Sequence, residues 1–262
     1  MLPPLRVRTF GLALLVLLGL GAEPASAGSL WYNGDYDNRD ALDNGFSLVN
    51  FGGLAALRST VYENFIVPVG QTWTITSVFS NDQLNYSTNP VTSAAWEIRT
   101  GVSAGNGGTL VSSNSNAAAT QTALAETPGF FYAGNPYQIT ATVPSLVLTA
   151  GTYWLSVIPN EPTVVDGNFS YVMSTSGLNS VGVPPGNDGN SFISNNIAPG
   201  SPGSYNFTPT STVEGGGTWD YSLGVNGIVA FTVPEPSSLI LVAIGGLGTS
   251  AFLRRRSRKG AG

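Results

Sequence analysis

The sequence predicts an all-β fold, a jelly-roll-like β-sandwich of short antiparallel strands, and three observations carry that prediction. Apolar residues recur with a period of two: Trp73, Ile75 and Phe79 alternate with Thr72, Thr74 and Thr76, the spacing of a half-buried strand. Turn-forming clusters punctuate such runs at Asn81-Asp82, 105–108, 149–151, 166–168 and Asn226-Gly227, where Gly, Asn and Asp accept the backbone angles that turns require. No long amphipathic helix competes. The best helical candidate, 117–126, has Ser, Thr and Asn around it and reads as a loop or a single short turn. Many short strands with Gly and Asn punctuation point to a sandwich.

The other strands follow from the same pattern. Trp96 and Ile98 face away from Glu97 and Arg99. In 153–158, Tyr153, Leu155 and Val157 oppose Trp154, Ser156 and Ile158, so both faces are apolar and the strand belongs between two layers. Trp219, Tyr221 and Leu223 alternate before the run 228–233, and 61–67, 109–112, 137–143 and 170–173 are further candidates. On this pattern Trp73, Trp96, Trp154 and Trp219 are core residues. The stretch 177–203, rich in Gly, Pro, Asn and Ser, reads as a long surface loop.

The two ends speak of transport. Arg6 and Arg8 precede the apolar run 10–20, and Ala25-Ser26-Ala27 supplies small residues before a cut at Gly28. This is the pattern of a secretory signal peptide over 1–27, with signal peptidase as the partner. The body is then 28–233. Beyond it, Pro234-Glu235-Pro236 leads into 237–253, a stretch without a charge. As a helix this stretch spans roughly 25 Å, the short end of what crosses a bilayer, which predicts a transmembrane helix at 238–253. Arg254, Arg255, Arg256, Arg258 and Lys259 follow, marking the cytoplasmic flank and placing the body outside the cytoplasm.

Pro-Glu-Pro, a short apolar helix and an arginine cluster, in that order, resemble the PEP-CTERM sorting signal of exported bacterial proteins, here over 234–259. The resemblance implies an exosortase that cuts near Pro234-Glu235-Pro236. It further implies passage from an inner-membrane intermediate to the envelope surface or the extracellular matrix, in association with exopolysaccharide. The segments 61–79, 96–111 and 148–157 also resemble β-sandwich regions of such proteins, and these imply no activity. A permanent anchor with a proline-stiffened loop is the other reading of the tail.

Composition excludes whole classes of chemistry. The chain has no cysteine and no histidine, so disulfides, thiolate nucleophiles, imidazole metal sites and a Ser-His-Asp triad are ruled out. Within 28–233, Arg39, Arg58 and Arg99 face thirteen acids and no lysine, a net charge of −10. Nucleic acid is therefore no partner, since binding it takes clustered cations.

The densest acidic cluster holds Asn33, Asp35, Asp37 and Asp40, followed by Asp43 and Asn44. Alternating oxygen side chains suit Ca²⁺, the sole cofactor candidate. An EF-hand is excluded because Asn38 and Asn44 stand where Gly and a bidentate Glu are needed. The same residues also cap turns in proteins that bind nothing. Trp31, Tyr32 and Tyr36 lie among Asn, Gly and Asp, as sugar-contacting rings do, although a strand tucking Trp31 into the sheet gives the same pattern. Glu63, Glu97, Glu126, Glu161 and Glu214 are scattered singly, whereas a glycoside hydrolase needs two carboxylates about 5 to 9 Å apart. Glu97, in Trp-Glu-Ile-Arg, reads as pairing with a cross-strand neighbour. The expected function is a structural or adhesive protein of the surface or matrix, and not an enzyme. A carbohydrate-binding module without catalysis is the alternative, with a glycoside hydrolase or lyase behind it.

Overall fold

Residues 28–47, 57–84, 90–125, 135–160 and 170–231 are described by a computed structural model. The predicted signal peptide 1–27 and sorting signal 234–259 lie outside the described residues. In chain order the elements are β1 (Gly28–Tyr32), β2 (Tyr36–Asp43), β3 (Phe46–Ser47), β4 (Leu57–Leu84), β5 (Ser93–Thr100), β6 (Thr109–Ala123), β7 (Asn135–Pro159), β8 (Ser170–Thr175), β9 (Phe192–Asn195), β10 (Thr208–Pro209), α1 (Thr210–Val213), β11 (Asp220–Tyr221) and β12 (Leu223–Phe231). The all-β expectation holds, since every strand pairing is antiparallel. Among the described residues no helix is long and apolar enough to cross a membrane.

The strands join in one sheet with the order β1-β12-β4-β7-β5-β6, and the shorter strands attach along it. Its spine is the β4/β7 ladder, which runs from Glu63↔Leu155 to Leu84↔Asn135. Three predicted turns fall inside strands instead. Residues 149–151 are absorbed where the ladder shifts register between Val67 and Thr72, a place where Gly70 has φ 81 and lets the chain bend without breaking pairing. Asn81-Asp82 lies buried in β4, and Asn226-Gly227 is a bulge in β12. Long bent strands thus replace several of the short ones that hydrophobic periodicity delimits. The turn at 105–108 does join β5 to β6, closed by reciprocal Ser103 and Asn106 backbone hydrogen bonds.

The stretch 117–126 is a second correction, because β6 continues through it to Ala123. Its inward positions are merely small: Ala117 is buried and Ala119 packs on the core, so alternation is present without large apolar residues to announce it. β6 pairs with β5 up to Ala118 and from Ala119 pairs with the first half of β7. In 177–203, β9 interrupts the expected loop, with Phe192 and Ile193 buried and its backbone paired to β4 and β10.

One apolar cluster draws on β1, β4, β5, β6, β7, β8, β9, β11 and β12. Phe65, fully buried, is a centre of it: Trp31 and Tyr153 approach its ring at 5.5 Å, and Trp73 stacks at 6.0 Å. Such pairs contribute on the order of 1 kcal/mol each beyond burial. Trp73, Trp96 and Trp154 are buried as expected. Trp219 is only half-buried, with the Arg39 guanidinium 4.9 Å above its ring.

The bulge at Gly227 yields a direct test. A Cβ there would lie 2.2 Å from the Thr74 carbonyl oxygen, a backbone atom that cannot swing away. Gly227→Ala is expected to destabilise the protein by roughly 1–3 kcal/mol, read as a lowered Tm. An unchanged Tm would mean that β12 slides on β4 at no cost.

Candidate functional site

Between β2, β8, β9 and α1 the surface opens into a cavity of about 420 Å³. β2 brings Asp40 and Asp43 to it, β8 brings Tyr171, the connection after β9 brings Tyr205, and Glu214 stands just past α1. A smaller cavity of about 230 Å³ holds Arg58, Tyr62, Glu97, Arg99 and Phe207. Asn195 lines both, so the two cavities adjoin at this residue and are together called the trough. Its side chain is the strut that shapes the trough: Oδ1 accepts from Tyr205 N at 3.0 Å, and Nδ2 donates to Gly203 O at 2.8 Å. This fixes the loop that carries Tyr205.

The two halves differ in charge. In the larger cavity the carboxyls of Asp40 and Glu214 hydrogen-bond each other. Burial, then that hydrogen bond and the Asp40 charge, raise Glu214 to about 7. Burial alone raises Asp43 to about 6. Near neutral pH this half therefore offers carboxyl groups that both donate and accept hydrogen bonds. In the smaller cavity Glu97 accepts from Arg99 Nε at 2.8 Å and from Tyr62 Oη at 3.0 Å, with Arg58 at 3.8 Å. Arg99 lies 5.8 Å from the Tyr62 ring centroid and 5.5 Å from that of Phe207, favourable cation–π positions. Glu97 does pair, but not with a cross-strand neighbour: Ser113 and Ser156 stand opposite it, and its partners are Arg99, two residues along the same strand, and Tyr62 and Arg58 of β4.

Of the metal and sugar candidates read from the sequence, Asp40 reaches the trough, together with Asp43 of the same acidic cluster. Trp31 is fully buried and so is withdrawn from any sugar, because the β1/β12 ladder turns its side chain into the core. Tyr32 is half-buried, donating to Asp35 Oδ1 at 2.8 Å and accepting from Asn81 Nδ2 at 3.0 Å. Tyr36 is half-buried at the start of β2, opposite Thr175.

The proposed Ca²⁺ ligands do not converge either. Asn33 donates to Tyr221 O at 3.1 Å, Asp35 accepts from Asn179 Nδ2 at 2.7 Å, and Asp37 is hydrogen-bonded by Arg39 and by Ser174 Oγ. The physical reason is that 36–43 is a strand rather than a loop, so its side chains find separate partners on either face. Among the described residues no three carboxylates are grouped to hold a metal ion.

Sequence reasoning named Asp43 in the acidic cluster and Glu214 among scattered glutamates without bringing them together, and it missed Tyr171 and Tyr205 as site residues. A signal was present for Tyr205 and Phe207, isolated rings in the polar residues just beyond the 177–203 stretch.

The C-terminal end supplies the remaining information. Comparison with curated proteins finds no match. Residues 232–257 match the family described as the PEP-CTERM protein-sorting motif, directly after β12. The chain therefore carries a PEP-CTERM sorting motif, which implies an exported protein that transits the membrane toward the surface and is processed by an exosortase.

Proposed function

We propose that the chain is a structural or adhesive protein of the cell surface or extracellular matrix, associated with exopolysaccharide and without catalytic activity. The sorting motif carries this reading. The absence of His and Cys removes the commonest bases and nucleophiles. A glycosidase pair leaves room for a sugar, at about 5 Å or more between carboxyls, whereas Asp40 and Glu214 are in hydrogen-bond contact. Fractionation of the native host is expected to find the mature form with surface polysaccharide. A mature form confined to the inner membrane would overturn the proposal.

The trough favours a second reading, a carbohydrate-binding module without catalysis. Tyr171 and Tyr205 flank carboxyl groups in one open cavity, and sugars bind by stacking on rings while hydrogen-bonding to polar groups. Tyr205→Ala is expected to weaken retention on the host's neutral exopolysaccharide about tenfold, the equivalent of 1.4 kcal/mol. Retention that stays unchanged would remove the trough from any glycan contact.

A further inference from the structure

Away from the trough, two carboxylates are buried with oxygens that nothing satisfies. Glu63 is 0% exposed and Asp220 1% exposed. Glu63 Oε1 accepts from Tyr221 N at 2.6 Å and Asp220 Oδ1 from Gly189 N at 3.0 Å. Glu63 Oε2 and Asp220 Oδ2 have no partner, and neither has Asn187 Oδ1. A buried acceptor left unpaired costs about 1–3 kcal/mol, more when charged, so three in one neighbourhood call for a donor or a cation.

The three groups are drawn together by the backbone. Tyr221, which binds Glu63, is the residue after Asp220. Asn64, the residue after Glu63, donates to Asp188 Oδ2 at 3.1 Å, and Asp188 follows Asn187. The turn at 187–189 is held over Asp220 by Gly189 N and by the backbone of Asn187 and Asp188. Asn187 has φ 77, a left-handed angle that asparagine adopts more readily than most residues. The charges of Asp220 and Asp188 both bear on Glu63.

No cation of the body answers this charge. Arg39 is paired with Asp37, Arg58 and Arg99 are paired with Glu97, and the body has no lysine. The unpaired atoms are all oxygens, two carboxylate and one amide, the set chosen by hard cations. An irregular turn suits Ca²⁺, which accepts flexible geometry, better than Mg²⁺, which demands a near-ideal octahedron.

We propose that Glu63 Oε2, Asp220 Oδ2 and Asn187 Oδ1 are ligands of a Ca²⁺ ion, completed by water, that fastens the 187–189 turn to β4 and β11. This site is separate from the acidic run at 33–44 and does not depend on the glycan reading of the trough.

The test uses the full chain in detergent, stripped of divalent ions. Millimolar Ca²⁺ is expected to raise Tm by roughly 5–10 °C, and the rise should vanish in Glu63→Gln and in Asp220→Asn while surviving in Asp35→Asn. No rise in the unmutated chain would overturn the proposal, as would a rise that survives both site variants or is lost in Asp35→Asn. Terbium gives a second measurement that needs no variant. Emission sensitised through the neighbouring Tyr221 ring should be displaced by Ca²⁺ and not by equal Mg²⁺, and absence of such displaceable emission counts against the site.

Discussion

Replacing Pro234-Glu235-Pro236 by three alanines is expected to leave export intact and to abolish processing, so that the uncut chain accumulates in the inner membrane. The two outcomes separate because different segments govern them. Export is expected to depend on the signal-peptide pattern at 1–27, while the motif at 232–257 is what the exosortase meets. The uncharged stretch 237–253 is short and holds Gly245, Gly246 and Gly248, so it suits a temporary stop in the membrane. Mass spectrometry of the unmutated mature pool should find peptides up to about Val233 and none across 239–253. A triple-alanine variant distributed like the parent would show that this motif does not direct sorting. Intact tail in the mature pool would favour permanent anchoring.

Stability should fall as pH rises from 4 to 8, and Asp82→Asn should remove a distinct part of that slope. Asp82 is fully buried in β4. Burial raises its carboxyl from 3.8 to about 7, against the lowering effect of hydrogen bonds from Ser80, Asn44 and Ser170. Unfolding returns the group to water and to its ordinary value. Between pH 4 and 7 the folded chain therefore keeps a proton that the unfolded chain has released, and stability declines with every step upward. The contribution is whole below pH 3.8 and gone above about 7. Its size is on the order of 4 kcal/mol. The amide of the variant carries no charge at any pH, so urea unfolding at pH 8 should show the variant more stable than the parent, with the two alike near pH 4. Parallel pH profiles for the two proteins would refute the assignment. Asp43 and Asp220, raised to about 6, Glu214, raised to about 7, and Glu63, pushed well above its ordinary value by burial, act in the same direction and account for the slope that remains.

The sheet was legible wherever large side chains alternate. Trp73, Ile75, Trp96 and Ile98 sit in their predicted strands and are buried. Pairing that continues through a bulge was not legible, because Gly70 and Gly227 leave the same local mark whether the chain turns back or merely bends. The alternation in β6 was equally hidden, since alanine fills its inward positions. The trough escaped for a different reason: Asp40, Tyr171, Tyr205 and Glu214 lie far apart along the chain and meet only through strand pairing. Glu63 and Asp82 escaped because acids are seldom fully buried without a charge partner, so nothing in their local sequence marks them as interior.

The pairing of β1 with β12 sets an order of events. Trp31 lies opposite Val225, so the strand that leaves the cell first finds its ladder partner only when nearly the whole body has followed. Only Thr232 and Val233 then separate Phe231 from Pro234, a reach of about 10 Å. Completion of the β1/β12 ladder therefore falls at the end of the body that runs directly into the sorting motif. An exosortase working there must either cut while β12 is still loose or accept a finished sheet pressed against the bilayer.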